Sequence, residues 1–326
     1  MKKRNLLQLI ATLTVGATVF TAHAQEAAYP SKPIRIVVGS APGALLDQAS
    51  RAYADRMSAY LKQPVVVENM AGASSLLAVR NVARAAADGY TILAIANTVV
   101  TTPHINKSAG YNVAKDFSAI GEMARAPALL VVGRSSPYQS LGQLLAAAKK
   151  EAGALAYASG GVGTTSHLPV ELLARQAGVT FTHVPYKGNA TAVPDVATGR
   201  AAFMMGTATS LVELMKSGQL RALAITSEAR SAAFPDLPTM KELGYGDATF
   251  DIWVGLLAPV AIPKAIRAKL GDAMEAARKD QSLLQRLQGM GQNISNVRTP
   301  DQFEAFLRQE EERYRQLIIE AKITAE

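Results

Sequence analysis

The sequence has no cysteine, and only four histidines and one tryptophan in its 326 residues. The lack of cysteine excludes disulfides, thiolate metal sites and cysteine nucleophiles. The histidines show neither the spacing nor the neighbouring glutamate of a metallohydrolase helix, so we expect no metal and no cofactor. No stretch combines clustered Lys and Arg with interleaved aromatic residues, and nucleic acid is therefore not an expected partner.

Long apolar segments are also missing, except at the N-terminus. Three basic residues at 2–4 precede an apolar run at 6–20, and Ala22-His23-Ala24 has the small-x-small pattern of a signal-peptidase site. This predicts a signal peptide at 1–24, cleavage near Ala24 and a periplasmic location. An uncleaved anchor is the alternative, but the run is shorter than a membrane span. Cleavage lowers the net charge from +8 to +5 and leaves 302 residues, enough for one large domain or two lobes.

Beyond the N-terminus, β-branched runs alternate with helical patterns. The first strand is predicted at 34–38, a helix at 48–61 and a second strand at 64–68, and the alternation continues to about residue 258. This order predicts an α/β fold with mostly parallel strands flanked by helices. No linker rich in proline or serine divides the chain, so two lobes would be joined by crossing strands near 126–132 and 251–257.

The segment 157–188 predicts a strand, a glycine-rich loop, a helix and a strand. Gly160, Gly161 and Gly163 allow tight turns and close approach of the backbone to a ligand. Residues 164–166, Thr-Thr-Ser, stand where a helix begins, so hydroxyls and backbone N–H groups would meet at its positive end. This pattern is typical of an anion site. Residues 160–167, the second loop, contain no Lys and no carboxylate, which indicates binding without chemistry.

Three enzyme motifs are incomplete in the second loop. A dinucleotide fingerprint would need a third glycine, a P-loop would need a lysine, and a nucleophile elbow would need a G-x-S-x-G frame. An exported hydrolase using Ser166 and His167 stays open, although their adjacency in sequence is not evidence of a catalytic pair. His167 could equally pack at the helix start or contact a ligand.

A first loop, residues 39–47, follows the first strand, where open α/β sheets bind ligands. An ordinary turn capped by Asp47 is the alternative. Further polar residues follow later strands, and Trp253 on a crossing strand is either core or part of a cleft. The candidate ligand-binding residues are Ser40, Ala41, Gly43, Ala44, Leu45, Leu46, Asp47, Asn97, Thr98, Gly163, Thr164, Thr165, Ser166, His167, Tyr186, Thr207, Ser210 and Trp253.

Several segments along nearly the whole chain resemble Bug-type periplasmic solute-binding proteins of tripartite tricarboxylate transporters. They include YPSKPIRIVV at 29–38, QPVVVEN at 63–69, DGYTIL at 88–93, YASGGVGTTSH at 157–167 and THVPYKG at 182–188. The resemblance implies a two-lobed "Venus flytrap" in which 25–126 and 256–326 form one lobe and 127–255 the other. It further implies that the two loops grip a carboxylate across a cleft, without enzymatic activity. The implied partner of this monomer is an inner-membrane permease of two subunits.

The first loop departs from the family pattern. Relatives of this type commonly read APGG, then a residue or two, then Thr-Asp, whereas here Ala44, Leu45 and Leu46 precede Asp47. Apolar side chains at a ligand grip favour a ligand with a hydrophobic body. We therefore expect an aromatic carboxylate, with terephthalate as a leading case. An aliphatic di- or tricarboxylate is an alternative, and so is a sensory protein that presents its ligand to a receptor kinase.

Overall fold

Strands and helices alternate along most of the chain in the computed structural model, which describes residues 29–72, 75–231, 233–294 and 299–324. The predicted signal peptide lies outside these ranges. The strands are β1 (Ile34–Val38), β2 (Val65–Asn69), β3 (Thr91–Ala96), β4 (Phe117–Gly133), β5 (Ala156–Ser159), β6 (Thr182–Pro185), β7 (Phe203–Thr207), β8 (Leu220–Ile225) and β9 (Asp251–Pro259). The helices are α1 (Leu45–Leu61), α2 (Leu76–Ala83), α3 (Thr98–Ile105), α4 (Val113–Asp116), α5 (Leu141–Lys150), α6 (Leu168–Ala177), α7 (Asn189–Ala197), α8 (Ala208–Lys216), α9 (Lys264–Arg278), α10 (Gln281–Gly289) and α11 (Pro300–Glu320), with a 3₁₀ turn at Gly246–Ala248.

The strands form two sheets that share β4. In the first sheet the order is β2-β1-β3-β9-β4, with β1 parallel to β2 and β3 and with β9 antiparallel to β3 and β4. In the second sheet β5 is parallel to β6 and β7, while β7 and β8 flank the second half of β4 in antiparallel pairing. β4 passes from one sheet to the other at Pro127 and Ala128.

Strand direction places the loops of interest. β1, β2 and β3 run in the direction of β4, which leaves the first sheet toward the second. β5, β6, β7 and β8 run against β4, and therefore toward the first sheet. The carboxyl ends of these seven strands thus point at the junction between the sheets, where ligands of open α/β sheets bind. We call this region the inter-sheet edge.

The α/β class is confirmed, but the sheets are mixed rather than mostly parallel. The four antiparallel pairings among the described strands all involve β4, which connects the two sheets, or β9, which lies between β3 and β4. β4 is also longer than the predicted strand at 128–132, because it begins at Phe117 as part of the first sheet. β9 pairs with the first sheet from Asp251 onward, whereas the Phe250 N–H donates to Thr226 O beside the second sheet. The two lobes stay a prediction, and this pairing favours a boundary at 250–251 over one at 255–256.

The central strands are buried on both faces. Ile34, Ile36, Val37 and Val38 of β1 have no exposed surface, as expected for a strand covered by helices on both sides. α1 packs on this sheet through buried residues that include Tyr53 and Met57, whose spacing puts them on one helical face. In the part of the chain that the structure describes, no helix has the length and apolar content needed to cross a bilayer.

Candidate functional site

The helices that begin at the inter-sheet edge lack side-chain caps. None of α1, α2, α3, α6, α7 and α8, which follow β1, β2, β3, β5, β6 and β7, has one. Four helices that start elsewhere, α4, α5, α10 and α11, are capped by Asn112, Ser140, Asp280 and Thr299, and α9 is the exception. Uncapped helix starts leave backbone N–H groups at the positive end of the helix dipole. The inter-sheet edge is therefore suited to an anion.

The Asp47 carboxylate organises the first loop from within. Asp47 is 2% exposed, and its oxygens accept from the Gly43 N–H at 2.9 Å, Asn69 Nδ2 at 2.9 Å and Arg51 Nε at 3.0 and 3.1 Å. Burial alone would raise the pKa of Asp47, but hydrogen bonds from Arg51, Gly43 and Asn69 hold it below its usual value. Contrary to the prediction of a ligand contact, this carboxylate is already used by the protein.

The free polar group of the first loop is the Ser40 hydroxyl. Its oxygen is buried and has no hydrogen-bond partner within the described ranges. The Ser40 carbonyl is held by Asn69 Nδ2 at 3.0 Å, so the residue is anchored while its buried hydroxyl has no partner among the described residues. Ala41 and Gly43 are exposed beside it, and Gly43 has the left-handed φ of 81° that favours glycine.

The two leucines of the first loop do not form a ligand wall. Leu45 and Leu46 are only 7% and 5% exposed and belong to the hydrophobic core. They occupy the first turn of α1, where their side chains pack inward and their backbone N–H groups remain uncapped. These two side chains therefore give no support to a hydrophobic ligand body, which stays a prediction; of the three residues, Ala44 is the half-buried one.

The second loop is folded by its own hydroxyls. Ser166 Oγ, fully buried, accepts from the Gly160 N–H at 2.8 Å, and Thr164 Oγ1 donates to the Gly161 carbonyl at 2.7 Å. Ser166 therefore shapes the loop, and its hydroxyl does not bond to His167. Among the described residues, no acceptor is hydrogen-bonded to the backbone N–H groups of Thr165 and Ser166. These two donors and the half-buried Thr164 and Thr165 side chains are what the loop can offer a ligand.

A stacked pair of histidines packs against the second loop and helps to hold its backbone. His167 is 4% exposed, its Nδ1 accepts from the Gly163 N–H at 3.0 Å, and its ring stacks on His183 at 4.1 Å. His183 Nε2 lies 2.6 Å from Ser159 Oγ, which accepts from the Gly161 N–H. Burial, with a smaller contribution from His183, lowers the pKa of His167 to about 3, and burial lowers the pKa of His183 to about 4. Both rings are therefore neutral at pH 7, and His167 positions the loop backbone.

α3 links the second loop to the first sheet. Thr101 Oγ1 donates to the Gly163 carbonyl at 3.3 Å, and a Cβ on Gly163 would stand 2.3 Å from Ile105 Cδ1. α3 follows β3, which is adjacent and parallel to β1, so it begins at the same edge as the first loop. The structure thus brings both loops to the α3 region of the inter-sheet edge.

Two predicted ligand residues are core residues at the crossing strands. Asn97 is fully buried; its Nδ2 donates to the Asp251 carbonyl and to Tyr314 Oη, both at 3.1 Å, and its Oδ1 accepts from the Trp253 N–H at 3.1 Å. Trp253 is also fully buried, and its Nε1 donates to Glu310 Oε2 at 2.9 Å. Neither side chain has a hydrogen-bond donor left for a ligand.

The other predicted residues remain accessible at this edge. Thr98 begins α3 and is half-buried, and Thr207 Oγ1 lies 3.0 Å from Ser210 Oγ at the start of α8. Tyr186 Oη donates to Asp195 Oδ2 at 2.5 Å, which ties it to α7.

Two residues of the first-loop hydrogen-bond network, Arg51 and Asn69, were not among the residues predicted from the sequence. The i, i+4 spacing of Asp47 and Arg51 was a signal for the first of them.

A separate cavity of about 450 Å³ lies on the α11 side of the crossing strands. It is lined by Arg125, Asp251, Trp253, Glu310 and Arg313 among others, and the two loops do not contribute to it. Its arginines are engaged, because Arg125 pairs with Glu122 at 2.5 Å and Arg313 with Glu310 at 3.5 Å. In the described part of the chain no three His, Cys, Asp or Glu residues are grouped so as to hold a metal ion.

Comparison with known structures points to one class of protein. The periplasmic binding protein BugD has 32% sequence identity and a TM-score of 0.80, over 91% of this chain and 100% of that one. MatC from Rhodopseudomonas palustris with bound malate has 27% identity and a TM-score of 0.79, over 89% and 100% of the two chains. R. palustris Rpa4515 with adipate has 29% identity and a TM-score of 0.82, over 91% and 99%.

The sequence itself matches a known family over most of its length. Residues 49–323 fit the TctC family, described as the tripartite tricarboxylate transporter family receptor. The resemblance inferred from the motifs and the periplasmic-binding-protein fold are both confirmed. The chain therefore belongs to the TctC family of tripartite tricarboxylate transporter receptors.

Proposed function

We propose that this protein captures a small organic carboxylate in the periplasm and delivers it to a two-subunit inner-membrane permease. The observation that carries the proposal is the set of uncapped helix starts of α1, α3 and α8 at the inter-sheet edge, together with the free N–H groups of Thr165 and Ser166 just before α6. An anion placed there would receive hydrogen bonds from backbone N–H groups that the protein leaves unused.

The donors of the two loops are neutral. The first loop offers the N–H groups at the start of α1, and the second offers the Thr165 and Ser166 N–H groups beside the half-buried Thr165 side chain. Neither 39–47 nor 160–167 contains an arginine, so a bidentate guanidinium clamp is not part of the grip. Neutral donors favour moderate affinity, which suits a protein that must release its cargo. Closure of the lobes around the anion would shift the population toward the closed form.

The ligand we propose is a small dicarboxylate. MatC and Rpa4515 were solved with malate and adipate, which are both aliphatic dicarboxylates. Terephthalate, our expectation from the first loop, loses the support of Leu45 and Leu46 because these side chains are buried. It remains the aromatic member of the test panel, since two opposed loops would also suit two opposed carboxylates.

Calorimetry on the mature chain tests the proposal with malate, adipate, citrate and terephthalate. Saturable binding of at least one of these acids, and no binding of the neutral compound in which all its carboxyl groups are amides, is the expected result. Tighter binding of malate or citrate than of terephthalate would remove the aromatic hypothesis. Failure of all four acids to bind would overturn carboxylate capture.

A further inference from the structure

Arg51 stands at the centre of a polar network behind the first loop. Its Nε donates to both oxygens of Asp47, and its Nη2 donates to Asn69 Oδ1 at 2.8 Å. Its side chain is 44% exposed, whereas the Asp47 side chain is 3% exposed. Arg51 therefore closes the network on its solvent side.

The network fixes the first loop at two points. Because Arg51 donates to Asn69 Oδ1, the Asn69 amide must turn its Nδ2 toward Asp47 Oδ1 at 2.9 Å and the Ser40 carbonyl at 3.0 Å. Asp47 Oδ2 in turn accepts from the Gly43 N–H. The backbone at Ser40 and at Gly43 is thus held through groups that Arg51 orients.

The same ion pair has an electrostatic consequence. Asp47 lies in the first turn of α1, next to the N–H groups that would receive an anionic ligand. An unpaired carboxylate there would repel that ligand and would occupy the favourable end of the helix dipole itself. The Arg51 guanidinium cancels this charge at hydrogen-bond distance, so the helix start remains attractive to a second anion.

We propose that Arg51 is a positioning and charge-compensating residue for carboxylate binding. It orients Asn69 and Asp47 so that the first loop presents Ser40 and the start of α1, and it offsets the negative charge of Asp47. This inference rests on the proposed function, because it needs a carboxylate ligand at the first loop.

The test is calorimetry with Arg51→Met, using adipate, malate and terephthalate, each beside its monomethyl ester. The matched control is Arg56→Met, which removes an arginine of the same helix that pairs with Asp280 at 3.2 Å. We expect Arg51→Met to weaken binding of the diacid about ten- to hundredfold, as for lost hydrogen bonds to a charged group. The half-ester should lose less, because it can turn its uncharged end toward Asp47. Arg56→Met should stay within about twofold of wild type.

A second variant separates the effect of the positive charge at position 51 from the effect of the guanidinium geometry. Arg51→Lys keeps the positive charge but cannot reach Asp47 and Asn69 with one planar fork. It should therefore restore the wild-type ratio between diacid and half-ester affinity while the affinities themselves stay reduced. A purely structural role for Arg51 would instead weaken diacid and half-ester equally, and that result would overturn the charge-compensating role.

The outcomes distinguish this inference from the proposed function. Wild-type affinity in Arg51→Met, with wild-type binding intact, overturns the role of Arg51 alone. Absence of binding by the wild-type chain overturns the proposed function, and the role of Arg51 with it. Circular dichroism and thermal melting of each variant establish that the affinities are those of folded protein.

Discussion

Gly163 is the residue at which the second loop meets α3. Its φ of 72° is in the left-handed region, and a Cβ there would clash with Ile105. Gly178 has a similar φ of 63° but open space around it, so the two positions share a backbone requirement and differ in contact. They form a matched pair for asking what the contact with α3 contributes.

Gly163→Ala should weaken carboxylate binding by about tenfold, because alanine is strained at this positive φ and its methyl group would displace either the loop with its Thr165 and Ser166 donors or the end of the Ile105 side chain. Gly178→Ala should cost about 1 kcal/mol of stability from its positive φ and leave affinity unchanged. Urea unfolding and calorimetry measure the two effects. Equal affinities for the two variants would contradict the role given to the contact.

The neutral state of His167 predicts how stability depends on pH. The unfolded chain takes up a proton near pH 6.5, whereas folded His167, with its pKa lowered to about 3, does not. The contribution of neutral His167 to the free energy of unfolding is therefore full above pH 6.5 and is lost as pH falls toward 3. Between pH 6.5 and 4.5 we expect a loss on the order of 2 kcal/mol from this residue.

His167→Gln is the variant that checks this pH dependence. Glutamine can still accept from the Gly163 N–H but does not titrate, so the urea midpoint should fall less between pH 6.5 and 4.5 than in wild type. An unchanged slope would show that the histidine does not carry the effect.

At the scale of the element, α1 combines a long helix with an unprotected start. Ala44 has the extended backbone of an N-cap residue, with φ −67° and ψ 160°, but its methyl group accepts no hydrogen bond. Serine at this position would satisfy one of the free N–H groups. Ligand binding and helix capping would therefore use the same backbone N–H groups at the start of α1.

Ala44→Ser should raise the free energy of unfolding by about 1 kcal/mol and lower carboxylate affinity. Thr299→Ala, which removes the capping box of α11, is the converse control: it should lower stability by about 1 kcal/mol without changing affinity. Chemical unfolding measures the stability of both variants, and calorimetry measures their carboxylate affinity. A stabilised Ala44→Ser variant that binds like wild type would mean that the start of α1 does not contact the ligand.

The elements themselves were largely predictable, because period-two and helical patterns are local. The role of Asp47 was not, since a carboxylate near a helix start is equally consistent with a cap, a ligand contact or an internal ion pair. The three partners of Asn97 lie 154, 156 and 217 residues away, so its burial depends on packing that no local pattern reveals. Leu45 and Leu46 were misplaced for the related reason that helix α1 begins three residues earlier than predicted.

At the scale of the molecule, the crossing strands, the contact of Gly163 with α3 and the ion pair between Arg175 of α6 and Glu320 of α11 join the two sheets with their flanking helices. If the predicted lobes close on a carboxylate, the protein should become more compact when ligand is added. Small-angle scattering with and without a saturating dicarboxylate would show a smaller radius of gyration for wild type. Gly163→Ala should show a reduced change, and an unchanged radius in saturated wild type would argue against closure.

β4 also sets a limit on how this chain can vary in length. Side chains alternate faces along a strand, and no loop separates the half of β4 in the first sheet from the half in the second. The register shifts of β4 lie between Ala119 and Gly121, Glu122 and Ala124, and Leu130 and Val131. Without a further bulge, deletion or insertion of one residue near Pro127 would turn the following side chains to the opposite face while the earlier ones kept theirs. Length variation that surface loops tolerate easily would here shift the register of one sheet relative to the other, so the length of β4 fixes how the two sheets are aligned.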